Sequence, residues 1–415
     1  MKKLFLITTG FPYPAKSMET YLETETQYYD LFDEVNIISL GVRRKTLGEK
    51  RIVNCKCKVN IFPIIFASKL VYLINGISVV FDRYFYREII ELQKNRKLNL
   101  KRIIRLIIYI SRSHFDARRV VKTLGLDKKR PVKDAVIYCY RFEYQPYVAL
   151  LLKKYFVNPT LIARAHRYDL YEERNCDQYI PARKLLLKKL SRVYLISQDG
   201  YAYLASKFPE FKEKMGISRL GTLDNGINNC ENKRTYFRVV SCSNIVPVKR
   251  IDRIISVLSK VKTQRIEWVH FGWGEEGNKI IKMASEMLGE SIKVVFKGRV
   301  ENKVILEFYK NNAVNLFINL SDSEGIPVSI MEAMSFGIPC IATNVGGTSE
   351  IVVNEINGYL INDEDDKYIA SKVDCIASMN GESYKQFRAE ARNTWEQKFN
   401  ADKNYRAFVE EIKNI

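Results

Sequence analysis

"VNLFINLSDSEGIPVSIMEAMSFGIPCIAT", residues Val314–Thr343, holds one complete strand–helix–strand unit. The run "VNLFINLS" (314–321) is short and rich in branched and aromatic residues, which predicts a buried strand. A helix is expected near 327–336, and "PCIAT" (339–343) predicts the next strand. Pro327 suits the first helical turn because its missing N–H has no partner there, and Gly337 is a common helix stop.

The same alternation extends in both directions. Strands are expected at 237–244, 267–272 and 292–298, with helices at 250–263, 276–288 and 301–312 between them. The first half predicts strands at 3–8, 35–40, 135–140, 160–166 and 192–197. A helix is expected from Ser17 to Phe32, capped by Ser17 or by the Thr20–Glu23 pair. Residues 61–130 differ: they are apolar and basic together, and predict an inserted helical subdomain. "LGTLDNGINNCENKR" (220–234) is turn-rich and predicts a domain boundary. The expected fold class is α/β, two Rossmann-like doubly wound domains facing across a cleft. Their expected limits are 1–225 and 235–394, with a C-terminal helix in 395–415 packing back on the first domain.

Size and composition agree with two well-filled cores. The chain has 415 residues, 47% hydrophobic and 12% aromatic, and a formal charge of +20. Between Arg83 and Arg130 fifteen Lys or Arg stand against four Asp or Glu. Such a surface favours phosphate-bearing ligands, acidic lipid headgroups or nucleic acid, or it serves solubility alone. The eight cysteines include several inside apolar runs, and no Cys-x-x-Cys pair occurs. A reducing, cytoplasmic compartment is the expectation, without a structural zinc. "LFLI" near the N-terminus is too short for a signal core and predicts a first strand. The stretch from Ile61 to Phe81 approaches membrane-spanning length, but Lys69 and Pro63 favour an interfacial or core element.

Ligands of doubly wound sheets bind just beyond the carboxyl ends of strands. Glu324 lies in such a loop, beside Gly325, and Glu332 follows in the helix. The free amides at that helix start form an anion site. An anion site beside acids suits a ligand with both phosphate and hydroxyls, such as a nucleotide sugar; a solvated loop acid and an exposed helix acid are the plain alternative. Lys249 and Arg250 open the loop after the strand 237–244, where cations oppose the helix dipole and therefore call for an anionic partner. Gly272 and Gly274 follow a strand, as does Gly10 in "GFPYP"; each is a weak signal by itself. His166 ends the strand "TLIARAH", placed either for a sugar hydroxyl or as a satisfied structural imidazole. His114 and His270 have no such placement.

These segments resemble the retaining glycosyltransferases of family four, which have the GT-B fold. "EGIPVSIME" carries their Glu-x7-Glu signature, and the likeness extends through "EAMSFGIPCIATNVGGTSEIV", "NGYLI", "FKGRVENKVILEFY", "HFGWGEE", "PVKRID" and, more weakly, "RAHRYDLYEE" and "FPYP". Residues 61–130 lie outside it. The resemblance implies that Glu324 holds the donor sugar's hydroxyls and Glu332 grips the ribose. It implies that Lys249 binds the donor diphosphate and that His166 contacts the sugar. The backbone at Gly298–Val300 would bracket the base, Gly272 and Gly274 would line the donor site, and Gly10 would approach the phosphates. The helix start at Gly325, Ile326 and Val328 would supply amides to the phosphates. An Arg common in the family is replaced by Asn244, so Arg250 would substitute, or Lys249 and the amides would serve alone. Sugar transfer would retain anomeric configuration and need neither metal nor cofactor, the nucleotide sugar being substrate. The acceptor would be a saccharide or lipid-linked saccharide held by the first domain, with an anionic inner membrane face as a peripheral contact. A GT-B epimerase or phosphorylase is the enzymatic alternative. A basic nucleic-acid binder is disfavoured, because no recognition motif accompanies the charge.

Overall fold

The computed structural model describes residues 1–14, 19, 21–228, 236–263, 265–290 and 292–415. The chain divides into two compact units, Met1–Ser218 with Tyr405–Ile415, and Arg219–Asn404. The sequence placed these divisions at 225 and 394.

Among its described residues the first unit carries seven strands: β1 (Lys3–Thr8), β2 (Glu34–Val42), β3 (Lys58–Ile65), β4 (Ala135–Cys139), β5 (Thr160–Ala165), β6 (Arg192–Leu195) and β7 (Met215–Ile217). All pair in parallel, in the order β3-β2-β1-β4-β5-β6-β7. The strand β3 lies inside the tract expected to be helical. Its pairing along β2 overrides the helical expectation, and Pro63 is tolerated because β3 is the sheet edge, where a missing N–H costs no ladder bond. The return from this edge to β4 uses the helix Leu100–Leu124, which buries Leu106, Tyr109, Ile110, Ala117 and Val120 at helical spacing. Asn99 caps its start, accepting from the Arg102 amide at 2.8 Å, and Gly125 ends it in the left-handed region at φ 62°.

Ser17 and Thr20, the expected helix caps, lie outside the described residues; beyond them a short helix Tyr21–Glu25 passes into a 3-10 segment Thr26–Leu31. The apolar stretch 61–81 is divided among β3 and the short helices Lys69–Ile74 and Ile77–Val80. Among the described residues no helix is long and apolar enough to cross a membrane. The last helix, Ala401–Asn414, brings Phe408 onto Tyr138 and Tyr194 in the first unit.

Among its described residues the second unit has six strands: β8 (Phe237–Cys242), β9 (Ile266–Phe271), β10 (Ile292–Phe296), β11 (Leu316–Asn319), β12 (Cys340–Thr343) and β13 (Gly358–Ile361). They are again parallel, ordered β10-β9-β8-β11-β12-β13. The order reverses between β8 and β11, and this switch point is where such sheets leave a crevice beyond the strand ends.

Candidate active site

Lys249 follows β8 and Glu324 follows β11, so the two come from the strands on either side of the switch point. They meet there as an ion pair, with Glu324 only 9% exposed. Asn319, the last residue of β11, donates to the same carboxylate oxygen at 3.3 Å. A carboxylate so enclosed requires such partners, and Lys249 is the one that neutralises its charge.

The loops around this pair are stitched by backbone. Asp322 N–H donates to Val248 at 2.9 Å, tying the loop after β11 to the loop after β8. Gly272 N–H donates to Gly298 at 2.9 Å, tying β9's loop to β10's. A Cβ on Gly272, at φ 133°, would stand 1.8 Å from the Ser243 carbonyl oxygen, and one on Gly274 would stand 2.1 Å from that of Ile245. Both glycines, weak signals in the sequence, are there because the β8 and β9 loops press together. Gly347 N–H donates to Gly325 at 2.6 Å, holding the floor beneath Glu324.

Arg250 sits at φ 49°, where the helix Ile251–Leu258 begins, and its guanidinium is bound by Asp252 at 3.2 Å and Asp322 at 3.1 Å. Two carboxylates already offset its charge, so it replaces the Arg absent at Asn244 only by changing partners. Asn244 itself is exposed. The helix Val328–Ser335 starts at Pro327 with no side chain capping it, and the Ile330 and Met331 amides donate to the Pro327 carbonyl at 3.1 and 3.3 Å. Gly337, at φ 69°, stops this helix as expected. Val300 is partly buried beyond Gly298.

Glu332 has other surroundings from Glu324. Only Glu332 lies on the helix, and its carboxylate accepts from Asn302 Nδ2 at 2.8 Å. The acids therefore do not share a helix face; Glu324 precedes the helix, in the loop. Burial pushes the Glu332 carboxyl up to about 7, against the lowering effect of Asn302.

His166 and Gly10 belong to the first unit. Neither nitrogen of the buried His166 ring has a hydrogen-bond partner in the described structure; Asp169 Oδ2, 3.8 Å from Nδ1, is too distant. Asp169 instead accepts from the His166 backbone N–H at 2.7 Å and fixes the turn, while the ring rests on Tyr140 at 4.7 Å. Burial lowers its pKa, which favours the neutral imidazole. The buried ring thus lies at the carboxyl end of β5, against Tyr140 and beside Asp169. His270 has Nδ1 2.8 Å from Ser241 Oγ, while its buried Nε2 has no partner among the described residues.

Gly10 lies in a loop organised by an internal acid. The amides of Thr9, Gly10 and Phe11 all donate to the Glu19 carboxylate, at 2.9, 2.9 and 3.0 Å. Its N–H is therefore engaged by this internal acid. Sequence reasoning missed Glu19, Asn319 and Asn302; for Asn319 the signal was a polar residue ending an apolar strand.

Known proteins can now be set beside this geometry. The sequence model of the glycosyl transferases group 1 matches residues 228–394. Residues 228–394 are thus similar to a group 1 glycosyl transferase domain. The Lys249–Glu324 pair and Glu332 all lie within it. The O-antigen biosynthesis glycosyltransferase WbnH of Escherichia coli is 32% identical over 206 residues, which are 48% of this chain and 55% of that protein. The putative colanic acid biosynthesis glycosyltransferase WcaL of Escherichia coli K12 is 24% identical over 57% of this chain and 59% of that protein. The chain thus spans little more than half the length of these relatives. Anabaena HepE, solved with UDP and glucose, superposes over all of both chains with a TM-score of 0.67 at 16% identity. The lipopolysaccharide outer core galactosyltransferase WaaB superposes over 99% of each chain at 0.68 and 14% identity. Both place the whole chain, not the glycosyl transferase domain alone, in the GT-B fold.

Proposed function

We propose that this chain is a retaining glycosyltransferase of cell-surface polysaccharide synthesis. It moves a sugar from a nucleotide-sugar donor to a saccharide or lipid-linked saccharide acceptor, without a metal. The observation that carries this reading is the nearly enclosed Lys249–Glu324 pair at the switch point of a domain similar to the group 1 glycosyl transferases.

Each partner of the pair matches one half of a nucleotide sugar. Lys249 Nζ changes partner from Glu324 to the donor diphosphate, aided by the uncapped amides at Val328. Glu324, thus released, accepts from the sugar hydroxyls. The bond from the anomeric carbon to the phosphate oxygen breaks with its electrons on the diphosphate, whose growing charge Lys249 offsets. The acceptor oxygen bonds to the anomeric carbon on the face just vacated, and its proton passes to the leaving phosphate oxygen. His166, a buried neutral imidazole following β5, suits a sugar hydroxyl. The basic tract within 61–130 supports a peripheral contact with an anionic membrane surface on the cytoplasmic side.

Titration calorimetry of nucleoside diphosphates tests the site, beginning with UDP, which fold neighbours hold. Lys249→Met is expected to weaken nucleoside diphosphate binding about 10- to 100-fold, the loss of one charge-assisted contact. Equal affinity in both proteins refutes the assignment.

A further inference from the structure

The first unit carries an apolar ridge that its own core does not use. Leu70, Val71, Ile77, Val80 and Phe81 are all exposed, Ile77 at 74% and Phe81 at 85%. The opposite side of the same segment is firmly held. Tyr72 is 1% exposed and packs edge-on to Phe66 and Phe115, and Val79 is buried. Asn75 Nδ2 donates to the Ser111 carbonyl at 3.2 Å on the helix Leu100–Leu124. The ridge is therefore a fixed shape, with five large apolar side chains directed away from the protein. Isolated exposed apolar residues need no explanation, but a contiguous set on an anchored segment marks an interaction surface.

Charge selects the partner. Arg83 and Arg87, which follow the ridge, are exposed. Arg118 lines a groove of about 650 Å³ together with Val71, Ile77, Phe81 and Phe115. Of the neighbouring acids, the half-exposed Glu91 pairs with Lys184 at 3.6 Å and the other two are held within the protein. Asp82 is buried and held by His114 and Tyr147, each at 2.7 Å, and Glu88 accepts from Tyr179 at 2.9 Å. Apolar side chains at the summit and unopposed guanidinium groups on the flanks match acyl chains beneath phosphate headgroups.

We infer that the ridge Leu70–Phe81 inserts into the headgroup–acyl boundary of an anionic bilayer, with Arg83, Arg87 and Arg118 on lipid phosphates. This deepens the proposed membrane contact and rests on it: docking proceeds by insertion of named side chains, not by charge attraction alone. It would bring the first unit to the surface from which a lipid-linked acceptor projects.

The test uses the full chain carrying Phe81→Trp, with Ile356→Trp as the control, an exposed site in the other unit. Vesicles are phosphatidylglycerol–phosphatidylcholine or phosphatidylcholine alone, with brominated lipids as quenchers. Insertion predicts a blue shift and quenching for Phe81→Trp on the anionic vesicles and none for the control. Ile77→Ser with Phe81→Ser should reduce vesicle partitioning at least about tenfold, given two large apolar side chains removed from contact. No binding, binding without burial of the Trp, or concentration-dependent dimerisation that buries it would each overturn the inference. Nucleotide-sugar binding measured without lipid separates the two claims: if it persists while insertion fails, only the ridge is refuted.

Discussion

Glu332→Gln separates two effects of one proton that run in opposite directions with pH. The Glu332 carboxyl is pushed from 4.5 to about 7 by burial. A folded-state pKa above the unfolded one means that the folded protein holds this proton more tightly. The carboxyl therefore favours folding most below about pH 4.5, and that advantage is lost as pH rises toward 7. The full rise corresponds to about 3 kcal/mol; because the side chain is partly open to solvent, about 1–2 kcal/mol is a realistic share. In a unit of this size that lowers the melting temperature by roughly 3–6 °C between pH 5 and 8. Gln keeps an acceptor for Asn302 and has nothing to titrate, so the variant should lose this part of the slope and melt higher at pH 8. Donor binding has the reverse sign. If the ribose hydroxyls donate to Glu332, they favour the carboxylate, and affinity should be about tenfold weaker at pH 6 than at pH 8. A nucleotide sugar is the right ligand, since its esterified phosphates do not titrate in this range. Calorimetry in buffers of different ionisation enthalpy should detect proton release near pH 6.5 in the parent and none in the variant. Parallel melting slopes in the two proteins would refute the buried-carboxyl reasoning. A pH-independent affinity in the parent would remove Glu332 from the ribose.

Gly272→Ala should destabilise the second unit by several kcal/mol, because a Cβ would meet the Ser243 carbonyl at 1.8 Å and φ is 133°. A thermal melt within about 1 °C of the parent would show that the β8 and β9 loops are not pressed together as described. Glu19→Gln should cost about 2–4 kcal/mol, since three amides lose a charged acceptor and regain at most one neutral oxygen. Hydrogen exchange at Thr9, Gly10 and Phe11 should accelerate in that variant. Unchanged protection at all three would remove Glu19 from the loop.

Glu324→Ala shows how the tertiary structure changes an expectation. Read as a loop acid, Glu324 is dispensable for folding. In the structure its removal strands Lys249 beside the switch point, so stability and activity should fall together.

The periodicity of the chain was enough to determine two parallel α/β sheets, the helix stop at Gly337 and the segments that carry Lys249 and Glu324. Each of these depends on local chemistry: strand runs, a proline or glycine at a helix end, a loop placed after a strand. It was not enough for β3, which lies in a tract whose mixed apolar and basic residues predicted helix, and whose pairing with β2 exists only once the sheet is assembled. Nor could it pair Asn302 with Glu332 or commit the amides of Thr9, Gly10 and Phe11 to Glu19. Those outcomes were decided by tertiary structure: which carboxylate reaches which amide, and how much water remains around it, depends on residues brought together only by the assembled sheets.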